Sequence, residues 1–134
     1  MEAYTGTWEL VKEESTGVEE FIEAYADMPD MEKKRLRHSS STLTYRRDGD
    51  QWFVDSVSGD RTDTMELCLG KEYSYEFGSS EAKATATIEN GKIVGTHTSK
   101  DKVIKSVSYI TGDRLIMEIT ANGVTMVTKY KRQS

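Results

Sequence analysis

The sequence predicts an all-β fold, a ten-strand up-and-down antiparallel barrel with a helix-turn-helix lid between its first two strands. Three observations carry that prediction. Turn signals recur roughly every ten residues from position 42 onward, the spacing of short antiparallel strands. The segments between them alternate in polarity, as half-buried strands do. A single stretch of helical periodicity, from Ser15 to His38, interrupts the pattern.

The elements follow in order. "GTWELVKEE" (6–14) reads as the first strand. Val18, Phe21, Ile22 and Tyr25 then repeat at helical spacing, with Ser15 or Thr16 as cap and Glu19 and Glu20 in the first turn. Pro29 stops this helix and opens a second one, with Asp30 nearby and Met31, Arg35 and Leu36 spaced along it. Nine strands complete the chain: "STLTYRR" (41–47), "QWFVDSV" (51–57), "DTMELCL" (63–69), "EYSYEF" (72–77), "KATATIE" (83–89), "KIVGTHTS" (92–99), "KVIKSVSYI" (102–110), "DRLIMEIT" (113–120) and "GVTMVTKYKR" (123–132). Asp48-Gly49-Asp50, Asn90-Gly91, Thr111-Gly112-Asp113 and Asn122-Gly123 are among the turns that separate them. Strands joined this tightly pair with their sequence neighbours, and a sheet of this size curls to remove its edges. Ten strands make a barrel too wide for its own side chains to fill, so it encloses space, and the helix pair covers one mouth.

Composition bounds what such a barrel does. The chain has 134 residues, 36% hydrophobic and 31% charged, which fits one folded domain spanning 1–134. A net charge of −5 argues against nucleic acid as a partner, because phosphate affinity needs clustered Lys and Arg. Cys68 is the sole cysteine, the start "MEAYTGTW" lacks a signal-peptide pattern, and no window approaches the roughly 18 apolar residues that span a bilayer. A cytoplasmic monomer follows as the expectation. Metal-ligand spacing, a nucleophile elbow and a phosphate loop are all missing, so neither a metal, a cofactor nor enzymatic activity is expected. The basic block "KKRLRH" (33–38) contains Lys33, Lys34, Arg35 and Arg37, candidates for transient contact with an anionic membrane, although a solvated helical face is the simpler reading.

Gly6-Thr7-Trp8 on the first strand, the inserted helix pair, "ENGKIV", "TGDRLIMEI" and the closing "KYKRQS" resemble the intracellular lipid-binding proteins, the fatty-acid-binding and retinoid-binding family of the calycin superfamily. The resemblance covers the chain from Tyr4 to Ser134. It implies a flattened barrel that holds one or two lipids beneath its helices, with intracellular binding and transport of a fatty acid or related amphipathic lipid. A protective or structural protein on the same barrel is the alternative. Members that bind a fatty acid deep in the barrel carry an arginine on the eighth strand and an Arg-x-Tyr on the tenth. An ungapped match from Gly91 to Tyr130 places those positions at Ser108, Thr128 and Tyr130, so only the tyrosine is kept.

The expected ligand-binding residues are therefore Tyr130, Thr128, Ser108, His97, Met117, Ile119, Ser106 and Met65. Ser108, Thr128 and Tyr130 supply hydrogen bonds without positive charge, so an ionised carboxylate is unfavourable among them. The head group is then expected either near the mouth or in neutral form against these hydroxyls. Met117 and Ile119 share one strand face, Ile104, Ser106 and Ser108 another, and Met65, Leu67 and Leu69 a third, forming an apolar wall or simply packing on one another. His97 shares the inward phase with Gly95 and is either a neutral donor, the missing cation or a histidine satisfied by the wall. Trp8 is expected to plug the closed end; Trp52 and Phe53 fall on opposite faces, one of them inward. Gly59 and Asp60 replace the phenylalanine that many relatives place at the portal.

Overall fold

Alternation and turn chemistry produce the strands β1 (Gly6–Leu10), β2 (Ser41–Asp48), β3 (Gln51–Ser58), β4 (Arg61–Glu66), β5 (Tyr73–Phe77), β6 (Ser80–Glu89), β7 (Lys92–Ser99), β8 (Lys102–Thr111), β9 (Arg114–Ala121) and β10 (Val124–Arg132). The computed structural model describes residues 2–24, 30, 33–34, 41–58, 61–67, 69–77, 80–99 and 102–133. All ten strands lie in one sheet ordered β4-β3-β2-β1-β10-β9-β8-β7-β6-β5, with antiparallel ladders throughout. Each hairpin joins sequence neighbours, and β1 pairs with both β2 and β10. Asn90-Gly91 (φ 53 and 80) and Asn122-Gly123 (φ 51 and 79) make two of the turns, with the positive φ pair that matches the twist of the flanking strands.

The sheet ends on β4 and β5, and among the described residues no ladder joins them. Closure is instead made by the segment that follows β4. The Leu67 amide still donates to the Trp52 carbonyl on β3 at 2.8 Å, whereas Leu69 bridges to Ala86 and the Gly70 amide donates to the Ala86 carbonyl on β6 at 2.7 Å. The chain thus steps from one side of the opening to the other. This corrects the expected strand 63–69, which begins earlier, at Arg61, and ends at Glu66 because its last residues leave β3 for β6.

The first strand is also shorter than its sequence pattern, ending at Leu10. From Val11 to Thr16 the chain advances five positions while β10 retreats only from Lys129 to Val127, as the amide bonds of Val11 and Thr16 to those two carbonyls (both 2.8 Å) record. The surplus is taken up by a 3-10 turn, Lys12–Glu14, whose Glu14 accepts two hydrogen bonds from the Arg114 guanidinium at 3.0 and 3.1 Å. Helix α1 (Val18–Ala24) follows, with Phe21 and Ile22 buried. Neither Ser15 nor Thr16 caps it, contrary to expectation. The Ser15 hydroxyl donates to the Val11 carbonyl and accepts from the Lys129 amide, and Thr16 is bridged to Val127. The Gly17 carbonyl receives the first helical bond instead, from Phe21 at 2.9 Å. Asp30, Lys33 and Lys34 are helical; the other residues of the expected second helix, Arg35 and Arg37 among them, and the Gly59-Asp60 turn lie outside the described residues.

Two apolar clusters occupy the inside. One joins Tyr4, Trp8, Leu43, Tyr45, Val54, Ala86, Ile93, Leu115 and Tyr130, which come from the N-terminus and strands on opposite walls. Tyr4 makes that crossing directly: its ring lies 5.7 Å from Tyr45, and its hydroxyl donates to the carbonyls of Gly91 and Ser108 at 2.7 and 3.2 Å. The Trp8 indole, 1% exposed, donates to the Tyr4 carbonyl, and the Arg132 guanidinium sits 4.2 Å over its ring. Trp8 is therefore part of a floor, as expected of a plug. The second cluster, Phe21, Ala121 and Met126 with Val18, Ile104, Ile119 and Val124 around it, binds α1 to the other end. The face of Trp52 is also decided. Val54 opposes Tyr45 and both are buried, so Trp52 shares their inner face, while Phe53 lies outside under the Arg46 guanidinium at 4.6 Å.

Candidate functional site

Register places the expected residues in rows that cross β10, β9, β8 and β7 on the inner face. The row next to the floor is Tyr130–Leu115–Ile110, continued on β1 by Leu10. Above it comes Thr128–Met117–Ser108–Ile93. Then follow Met126–Ile119–Ser106–Gly95 and, beneath α1, Val124–Ala121–Ile104–His97. Residues directly opposite on adjacent strands have Cβ atoms about 5 Å apart, so side chains within a row touch or nearly touch. Seven of the eight expected residues thus form one patch on a single wall.

Met65 is not brought into that patch. It opposes Val54 on β4, a strand at the far edge of the sheet, and is 41% exposed. The reason is topological: β4 lies on the β1–β4 arm, whereas the patch occupies the β10–β7 arm. Met65 can serve only as part of the facing wall.

The polar atoms of the patch follow a diagonal. Ser108 is 5% exposed and Tyr130 8%, while Thr128, Ser106 and His97 are half-buried. Gly95 makes room for the upper part of this diagonal. A Cβ there would lie 2.7 Å from the Ser106 Oγ and 3.8 Å from the His97 Nε2, so the serine hydroxyl occupies the space a side chain would take. Burial pushes the His97 imidazole below its ordinary value of 6.5, which favours the neutral ring. Of the readings open for this residue, the missing cation is therefore the one its surroundings oppose.

Tyr4 and Tyr45, which sequence reasoning left out, complete the deep end. Burial raises both phenols, and for Tyr45 the nearby Tyr130 and Tyr4 rings add to it, so the floor is uncharged. The alternation of "STLTYRR" carries the signal that would have found Tyr45, since it sets Leu43 and Tyr45 on one face. Ser56, on the inner face opposite Leu43, has a buried hydroxyl with no partner. The Arg cations at this end are engaged elsewhere. Arg47 is exposed and donates to Glu2 and to the Gly49 carbonyl, and Arg132 donates to the carbonyls of Ala3 and Thr5. Among the described residues no group of His, Cys, Asp and Glu is placed to hold a metal, and no helix is long and apolar enough to cross a membrane.

No protein-family model matches the chain. It is 30% identical over 93 residues to a fatty acid-binding protein of Lepidoglyphus destructor, which covers 68% of this chain and 70% of that one. It is 24% identical over 131 residues to the liver fatty acid-binding protein of Schroederichthys bivius, covering 97% and 98%. The crystal structure of Echinococcus granulosus fatty-acid-binding protein 1 superposes with a TM-score of 0.87 over 100% of both chains, at 24% identity.

Proposed function

Because this chain belongs to the fatty-acid-binding protein family, we propose that its barrel binds and transports a fatty acid or a related amphipathic lipid. The observation that supports this reading most directly is the make-up of the inner wall: a diagonal of polar side chains from Tyr130 beside the floor to His97 beneath α1, crossing rows otherwise built of Leu, Ile, Met and Val. A mostly apolar wall with a few placed polar groups suits an amphipathic ligand. Tyr130, Thr128, Ser108, Ser106 and His97 would offer the polar contacts, and Met117, Ile119 and Met65 the apolar ones. On this reading the protein is a cytoplasmic, monomeric, non-enzymatic carrier without affinity for nucleic acid. Lys33, half-buried, and Lys34, exposed, together with Arg35 and Arg37, would make the transient membrane contact through which ligand is exchanged.

Native mass spectrometry of gently purified protein tests the reading. A complex carrying one or two lipids is expected, with faster release to vesicles that contain anionic lipid. An empty barrel that also refuses fatty acids, retinoids and bile acids would replace the carrier by the protective alternative. Release that ignores vesicle charge would remove the membrane contact alone.

A further inference from the structure

We propose that Asn122 is a modification site: spontaneous deamidation at Asn122-Gly123 turns the side chain that latches α1 to the barrel into one that repels it. Its effect falls on the lid helix, whichever lipid the barrel carries.

Helix α1 needs outside support. Its seven residues, Val18–Ala24, are too few for a helix to persist unaided, and the carbonyls of its last turn have no partner within the helix. One of those carbonyls is served from the barrel. The Asn122 Nδ2 donates to the Ala24 carbonyl at 2.6 Å, across 98 positions, while the adjacent Ala121 packs with Phe21. The β9–β10 turn therefore grips the helix at its C-terminal end. Turn chemistry alone accounts for an Asn here, since Asn tolerates the φ of 51, but the hydrogen bond is a second role. Asn90, at φ 53 in the corresponding β6–β7 turn, presents the same dipeptide without the latch: it stands at the floor, where the Gly91 carbonyl receives the Tyr4 hydroxyl.

The same pair carries the chemistry. Asparagine is chemically labile, and most so before glycine, which leaves the main-chain nitrogen unshielded. Asn122 and Gly123 are both exposed, and a Cβ at Gly123 would meet nothing within 4 Å, so no neighbour crowds the reacting atoms. The Gly123 nitrogen attacks the Asn122 Cγ: an N–Cγ bond forms, the Cγ–Nδ2 bond breaks, and Nδ2 leaves as ammonia with the proton of the Gly123 amide. Water then opens the five-membered imide at either carbonyl, giving aspartate or isoaspartate with no change of oxidation state. The reaction and the latch oppose each other, because the leaving nitrogen is the one bonded to Ala24, and that bond restrains the rotation the attack requires. Molecules react when the side chain has let go of Ala24, and afterwards they cannot relatch. A carboxylate has no proton to donate, and it sets a negative charge against the negative end of the helix dipole.

The test incubates the whole protein at pH 8, follows both Asn-Gly pairs by peptide mapping, and reads the amides of Ile22, Glu23 and Ala24 by hydrogen exchange. Asn122 should deamidate more slowly than Asn90, and Gly17→Ala, which strains the start of α1, should bring the two rates together. In Asn122→Asp, and in the wild-type fraction separated by its extra negative charge, the three amides should exchange about tenfold faster, from a lost hydrogen bond and a new repulsion. Asn122→Gly, which keeps the turn and adds no charge, should give a several-fold increase, so the latch stays testable even if the aspartate variant does not fold. Asn90→Asp should leave α1 unchanged. Asn122 still amidated in both wild type and Gly17→Ala after Asn90 has fully reacted would overturn the modification site. Exchange at wild-type rates in Asn122→Asp and Asn122→Gly, or equal rates at the two pairs in the wild type, would overturn the latch. No readout needs a bound lipid, so the carrier reading stands or falls separately.

Discussion

His97 shows how a single residue depends on where its strand places it. Its imidazole is half-buried beside Ser106 in the space left by Gly95, and burial lowers its pKa from 6.5. Between the native and unfolded values the folded chain then binds fewer protons than the unfolded one, so stability rises with pH across that window. The contribution is complete above 6.5 and is lost as the pH falls through the native value. Unfolding titrations of the wild type and His97→Gln should therefore converge in stability, relative to their difference at pH 7.5, as the pH is lowered to 5. A difference that stays constant would mean that the ring is as well hydrated folded as unfolded. Residue identities in the patch were legible in the sequence because period-two alternation assigns faces directly. The neutral state of His97 was not, since it depends on how deeply β7 is covered.

At the scale of elements, the attachment of α1 turns on Gly17. The helix must start where the chain leaves β10, and the Thr16–Val127 bridge fixes that point. Gly17 has φ +78, and a Cβ there would lie 2.5 Å from the Thr125 carbonyl oxygen, which is backbone and cannot move aside cheaply. Gly17→Ala should cost more than about 1 kcal/mol from the left-handed conformation alone, with the clash added to it. Urea unfolding measures the loss, and faster hydrogen exchange at the Phe21 amide should accompany it as α1 loosens. Unchanged stability and protection would show that the helix is held by Phe21 and its neighbours alone. The expected cap by Ser15 or Thr16 failed for a related reason. The Ser15 hydroxyl is engaged by the Val11 carbonyl and the Lys129 amide, and the backbone pairing of Thr16 with Val127 holds it in the bridge, so the first helical bond is received one residue later, by Gly17.

For the whole molecule, the inside divides into a packed floor and a largely apolar wall above it, crossed by the polar diagonal from Tyr130 to His97. The floor joins opposite walls, so its parts should fail together. Trp8, 1% exposed, touches the N-terminal turn through Tyr4 and the C-terminal strand through Arg132. Trp8→Ala should cost about 3–5 kcal/mol and lower the urea midpoint of the whole barrel in one transition. A loss below about 1 kcal/mol, or a separate early transition, would show that the floor is not part of the cooperative unit. The barrel expected from strand count encloses less at this end than its width suggests, because Tyr4, Trp8, Tyr45 and Leu115 fill it.

Strand identity, hairpin order, the single helical interruption and the absence of arginine at positions 108 and 128 are properties of local pattern and residue type, and alternation with turn chemistry was enough to read them. Which side chains become neighbours is a different matter. Register aligned Thr128 with Met117 and Ser108, the arm of the sheet separated Met65 from them, and the N-terminal turn carried Tyr4 across the floor to Ser108. The first of these relations is set by consecutive hairpins, whereas the others join residues up to 104 positions apart and depend on sheet order and curl, which no local periodicity encodes.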